Sequence, residues 1–162
     1  MRRVILKSLA VAGLAMLAGC GFQLRGQASL PFNSAYVDAA PRSVLAVQLR
    51  KHLDQQAKLA GQRDDADVVI RLTGENRGKT ILSLSGGGKV REYRLVDMVT
   101  VSAVSPDGKE ILTPTDIRLT RDFSYSDEQI LAKEAEEAML RKDMDDDALR
   151  QILRRLAFVR KQ

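Results

Sequence analysis

The spacing of apolar positions along the chain switches between two periods, and the switches predict the elements. Ala35-Tyr36-Val37-Asp38 has the form of a short strand. Pro41-Arg42-Ser43 opens a helix, with Ser43 as its N-cap. Leu45, Leu49 and Leu53 then recur at spacing four beside Val44 and Val47, while Arg50, Lys51, Asp54 and Gln55 take the other face. Gly61 is the expected end of that helix. From Val68 the period falls to two: Val68, Ile70 and Leu72 alternate with Val69, Arg71 and Thr73, the pattern of a half-buried strand. It lapses between Gly74 and Gly78, leaving a bulge, a loop or continuous strand open, and resumes at Ile81, Leu82 and Leu84. Gly86-Gly87-Gly88 is a chain reversal, since glycine accepts the positive φ that tight turns require. The next strand runs over about 89–104, with Tyr93, Leu95, Val99, Val101 and Ala103 on one side. Pro106-Asp107-Gly108-Lys109 is a second hairpin turn, and a further strand carries Ile117, Leu119, Phe123 and Tyr125 opposite Arg118, Thr120 and Asp122.

The final helix starts at Ser126, where Ser126-Asp127-Glu128-Gln129 fits a capping box with acids in the first turn. At 100° per residue, Ile130, Leu131, Ala135, Ala138, Leu149, Ile152, Leu153 and Leu156 share one broad face, interrupted by the charged run from Arg141 to Asp147. Arg154, Arg155, Arg160 and Lys161 give its end the sign the helix dipole favours. The order β-α-β-β-β-α predicts an α+β fold. It is a two-layer sandwich in which a four-stranded, mostly antiparallel sheet packs against two helices. The first strand, reached through a helix, should lie parallel to one neighbour.

The N-terminus tells a different story. Arg2, Arg3 and Lys7 precede an uncharged apolar run from Ser8 to Ala18, followed by Leu17-Ala18-Gly19-Cys20. A charged start, an apolar run too short to span a bilayer and small residues before the cut describe a secretory signal. Leu-Ala-Gly-Cys has the form of a lipobox, which makes Cys20 the lipidated first residue of the mature chain. The expected organisation is a signal peptide over 1–19, a lipidated tether over 20–33 and one α/β domain over 34–162. The expected modification is an N-acyl group and an S-diacylglycerol at Cys20, several acyl chains being needed for stable anchoring. Gly21, not Asp, follows the cysteine. By resemblance to bacterial lipoproteins, that implies the periplasmic face of the outer membrane.

Cleavage also changes the charge. The formal +5 of the whole chain includes three signal-peptide cations, and without them 23 basic residues face 21 acidic ones. The mature surface therefore has no excess of cations to suit nucleic acid. The only cysteine is the one expected to carry lipid, so no internal disulfide can form. His52, the single histidine, has no Cys or His at metal-ligand spacing. Asp143-Met144-Asp145-Asp146-Asp147 lacks the glycine and spaced ligands of a calcium loop and is expected to be a solvated helix face. The triple glycine is not followed by a helix with Lys-Ser or Lys-Thr, so it is no phosphate loop. Met139 and Met144 are expected to fill gaps in or beside the core. Neither a catalytic constellation nor a metal site can be assembled, so an enzyme is not expected.

Several motifs together resemble a known family. Cys20-Gly21-Phe22-Gln23-Leu24-Arg25-Gly26, Leu119-Thr120-Arg121-Asp122-Phe123-Ser124-Tyr125, Ile130-Leu131-Ala132-Lys133-Glu134 and Gln151-Ile152-Leu153-Arg154-Arg155-Leu156 resemble the LptE lipopolysaccharide-assembly lipoproteins in content and order. The resemblance implies a lipoprotein that plugs the LptD outer-membrane β-barrel and helps place lipopolysaccharide in the outer leaflet. Lipopolysaccharide carries phosphates, whose recognition calls for Lys or Arg in charge-assisted hydrogen bonds. Lys133, in the Leu-Ala-Lys-Glu segment, is the first candidate by resemblance. Lys89 and Arg91 beside the triple-glycine turn and Lys79 on the opposing strand are further candidates. Arg121, next to Asp122, is expected in a structural ion pair or a partner contact. The alternative is a free-standing lipid or glycan carrier, which would need an apolar cavity between sheet and helices where a plug would have a packed core.

Overall fold

A computed structural model describes residues 30–159. Strand β1 spans Ala35–Ala39, helix α1 Val44–Gln55, β2 Val68–Leu84, β3 Val90–Val104 and β4 Glu110–Ser124. A 3-10 turn over Asp127–Gln129 leads into α2, Ile130–Ala157. The sheet order is β1-β2-β3-β4, with β1 parallel to β2 and the other pairs antiparallel. The α+β sandwich, its element order and its parallel first strand are as the sequence predicts. The signal peptide, Cys20, Arg160 and Lys161 lie outside the described residues. Leu30 and Phe32, assigned to the tether by sequence, are buried in the core. Lys58 donates to the carbonyls of both and lies 5.7 Å from the Phe32 ring centroid, which fastens this segment to the fold.

Helix α1 forms as expected at its start, where the Ser43 hydroxyl accepts from the Ala46 N–H at 2.8 Å. Leu45, Ala46, Leu49 and Leu53 are its buried face, whereas Val44 and Val47 are exposed. Its end is not at Gly61. Ala57 takes the left-handed conformation at φ 54°. The Ala57 N–H donates to Asp54 O and the Lys58 N–H to Leu53 O, both at 2.9 Å. That pair of bonds closes a helix through its first residue past the cap. The chain is then free to run back along β1, where Ala35 and the 58–60 segment exchange backbone hydrogen bonds and cover the sheet edge.

Two hairpins join the long strands, and they are built alike. Ser85 N–H donates to Lys89 O and Gly88 N–H to Ser85 O; Ser105 N–H donates to Lys109 O and Gly108 N–H to Ser105 O. Both are three-residue loops whose last position is a glycine at positive φ, 78° and 88°. Of the three glycines at 86–88, only Gly88 has that conformation.

The stretch from Gly74 to Gly78 is strand broken by a bulge. Thr73 faces Thr100 and Asn76 faces Met98, so two residues of β2 oppose one of β3. Gly74 supplies the left-handed position, φ 63°. One extra residue reverses the pleat. Before the bulge the core-facing residues are Val68, Ile70 and Leu72; after it, Arg77 and Lys79 are the ones that reach the helix layer.

Helix α2 departs most from expectation. Its core residues are Met144, Ala148, Ile152 and Leu156, with Leu140, Leu149 and Leu153 packed at the margin. Ile130 and Leu131 are exposed, Leu131 at 82%, as is Met139 at 67%. Ala135 and Ala138 are exposed as well. No residue from 130 to 143 is buried. The apolar face deduced from eight positions is therefore covered only along the second half of the helix; Ile130 and Leu131, five turns before Ala148 and Leu149 on the same side, are left uncovered. The capping box is absent too, for the Ser126 hydroxyl donates to the Glu128 carboxylate and caps no backbone N–H.

Candidate functional site

The bulge at Gly74 sets up the site. By reversing the pleat it aims Lys79 at α2, where Nζ lies 2.5 Å from Glu137 Oε2. Below the ammonium is an aromatic shelf. Lys79 Nζ is 4.2 Å from the Tyr93 ring centroid and 5.4 Å from that of Phe123, both close enough for cation–π attraction. Tyr93 and Phe123 are cross-strand partners with stacked rings, and Tyr125 meets Tyr93 edge-on. Lys133 reaches the same seam from the helix, donating to Ser124 Oγ at 2.9 Å and pairing with Glu136 Oε2 at 2.8 Å.

Lys79 and Lys133 thus both lie along the seam between the sheet and α2, and each already holds a carboxylate. Lys89 and Arg91 lie apart, at the start of β3 by the turn. Lys89, 72% exposed, is 3.5 Å from Asp127. Arg91 is exposed and makes no side-chain ion pair among the described residues, while its carbonyl accepts from the Tyr125 N–H. Around these cations the exposed aliphatic side chains of Ile81, Leu82 and Leu84 cover the end of the β2–β3 hairpin.

The ionic seam continues along the helix. Arg141 pairs with Asp97 at 2.5 Å, donates to Gly78 O at 2.9 Å and lies 3.6 Å from Glu137. Arg77 pairs with Asp145, and Arg121 with Asp147. Arg121 is therefore in an ion pair, though with the helix; its neighbour Asp122 takes Arg94 in two hydrogen bonds of 2.7 Å. The acidic run is not simply a solvated face, because Asp145 is buried. Burial pushes its carboxyl above the ordinary range despite Arg77, whereas hydrogen bonds from Arg150 and then Arg121 hold Asp147 below it. Partly exposed ion pairs contribute about 0.2–1 kcal/mol each. A buried aliphatic side chain contributes about 1.5–3 kcal/mol. The first half of α2 is accordingly held weakly and the second half strongly.

Sequence reasoning did not find Glu136, Glu137, Arg77 or Arg141, nor the aromatic shelf. The i,i+3 spacing of Lys133 with Glu136 and the i,i+4 spacing of Glu137 with Arg141 were the available signals.

Between sheet and helices, beside Met144, lies a gap of about 30 Å³, room for a water and not for a lipid. A larger cleft of about 560 Å³ opens at the opposite end of the sheet from the triple-glycine turn, lined by Phe32, Asn33, Asp67, Ser105, Lys109 and Ile111 among others. No group of acids, His or Cys that could hold a metal occurs among the described residues.

The family described as LptE, lipopolysaccharide-assembly, matches residues 32–156. The LPS-assembly lipoprotein LptE of Photorhabdus laumondii is 30% identical over 163 residues, covering 98% of this chain and 88% of that one. Among solved structures, the NMR structure of an uncharacterized lipoprotein B from Nitrosomonas europaea is similar with a TM-score of 0.73 and 39% identity, over 85% of this chain and 90% of that one. The crystal structure of the rare lipoprotein B from Shewanella oneidensis has a TM-score of 0.65 and 29% identity, over 77% and 94% of the two chains.

Proposed function

Because the chain belongs to the LptE family of lipopolysaccharide-assembly lipoproteins, we propose that it is an outer-membrane lipoprotein that assembles with and plugs an LptD-type β-barrel. In that place it assists the transport of lipopolysaccharide into the outer leaflet and contacts the lipid through cations at the triple-glycine end. The family is one of assembly lipoproteins, not of enzymes, and it uses no cofactor. Lipid on Cys20 holds the domain at the periplasmic face of the membrane. No helix among the described residues is long and apolar enough to cross a bilayer.

The observation that carries the choice between plug and carrier is the filled space between the layers. A free-standing carrier needs an apolar cavity between sheet and helices, whereas Leu95, Ile117, Met144, Ile152 and Leu156 are fully buried there and the gap beside Met144 is about 30 Å³. The interior of a large barrel is polar, and the open face of the sheet suits it. That face presents Arg94 paired with Asp122 and Thr100 bonded to Asp116.

Affinity purification of the lipidated protein from detergent-solubilised outer membranes tests the reading. A barrel protein of about LptD size recovered in stoichiometric amount supports it. Recovery of the lipoprotein alone under gentle extraction would overturn the plug. For the lipid contact, Arg91 offers the cleanest variant, since Lys79 and Lys133 are engaged in the fold. Arg91→Glu should weaken binding to purified lipopolysaccharide several-fold with the melting temperature unchanged, and unaltered binding at matched salt removes Arg91 from the site.

A further inference from the structure

We propose that Glu137 is a built-in competitor for the anion this site receives, and that the first half of α2 is a flap released when a ligand phosphate takes the carboxylate's place. The inference rests on the reading that lipopolysaccharide binds at this end of the molecule.

Lys79 is a prepared cation. Two aromatic rings flank it, its side chain is still about a third exposed, and its counter-ion is Glu137, held at 2.5 Å by Lys79 and at 3.6 Å by Arg141. Glu136 neutralises Lys133 locally, one turn along the same helix. Both carboxylates sit on the stretch of α2 whose one apolar contact with the core is the half-buried Leu140, whereas Met144, Ala148, Ile152 and Leu156 fasten the rest. The segment most able to leave is thus the one carrying the counter-ions. Its departure frees Lys79, parts Lys133 from Ser124 and opens the shelf of Tyr93, Phe123 and Tyr125. The shelf adjoins Ile81, the cross-strand partner of Tyr93. A phosphate linked to acyl chains matches both parts, with the phosphate replacing Glu137 and an acyl chain lying on the rings. Inorganic phosphate matches only the first.

The test compares binding of the full lipidated protein in detergent to purified lipopolysaccharide and to inorganic phosphate, with amide hydrogen exchange read alongside. Glu137→Gln should bind lipopolysaccharide about threefold to fivefold more tightly, the size of one partly exposed ion pair removed from the competition. Glu134→Gln, which removes an equal charge from the exposed face of the same helix, should change it less than twofold. Adding Lys79→Gln to Glu137→Gln should abolish the gain. Amides of 131–140 should exchange faster in Glu137→Gln and in the lipopolysaccharide-bound wild type, with those of 146–156 unchanged and inorganic phosphate without effect. Equal affinity of Glu137→Gln and wild type, an equal gain in Glu134→Gln, or release of the helix by inorganic phosphate overturns the gate while leaving the binding reading intact. Absence of lipopolysaccharide binding in both wild type and Glu137→Gln overturns the two together.

Discussion

Ala57 holds a left-handed backbone with a Cβ attached, a conformation that disfavours every residue but glycine by about 1–2 kcal/mol. Its side chain is exposed and contributes no core packing to offset this. Ala57→Gly should therefore stabilise the protein by about 0.5–1 kcal/mol in urea unfolding, even though glycine costs entropy elsewhere. Asp145 and Asp147, two residues apart, should respond to pH in opposite directions. Burial raises the Asp145 carboxyl, so the folded state holds its proton more tightly and stability from this group declines as pH rises through and above the ordinary carboxylate range. Asp147 is depressed by Arg150 and Arg121, so its contribution is present above that range and is lost as pH falls through the depressed value. Urea melts of Asp145→Asn and Asp147→Asn against wild type, from acid to neutral pH, should give stability differences that slope in opposite senses. Parallel slopes would refute the assignment.

The two hairpin turns make a natural comparison, Ser-Gly-Gly-Gly-Lys against Ser-Pro-Asp-Gly-Lys on the same hydrogen-bond frame. Gly86 and Gly87 have ordinary φ, and a Cβ at Gly86 meets nothing within 4 Å. The double change Gly86→Pro and Gly87→Asp should stabilise the fold by about 0.5–1 kcal/mol through the unfolded chain, seen as a raised melting temperature. Gly88→Ala should do the reverse. Strands and hairpins were legible in the sequence because alternation and turn chemistry are local: Tyr93, Leu95, Val99, Val101 and Ala103 share the side their spacing assigned. The bulge was visible only as a lapse, since a two-against-one pairing is fixed by the partner strand. Helix α2 was misread for a related reason. A helical wheel shows which residues share a face, not which face meets the sheet. Here ion pairs to Lys79 and Asp97 hold the first half, and Leu131 and Met139 are left exposed. The candidate cations were readable as residue types, and Glu136 was within reach as the i,i+3 partner of Lys133; Glu137 was not, because it and Lys79 meet only across the fold.

At the scale of the molecule the two ends differ. Leu30, Val159 and the Ser105–Lys109 turn mark one; the triple glycine, Arg91 and the start of α2 mark the other. On the proposed processing, Cys20→Ala should shift the protein from the membrane to the soluble fraction with its circular dichroism unchanged, since Leu30 onward supplies the core. Retention on membranes without the barrel would count against lipid anchoring. The 17 residues of β2 run between the two ends, and at about 3.3 Å per residue they span on the order of 50 Å. A bilayer with its headgroups is about 40–45 Å thick. If Cys20 carries the lipid as proposed, β2 makes the domain a gauge about as long as the membrane is deep, and shortening β2 and β3 by matched pairs of residues would move its far mark by a known step.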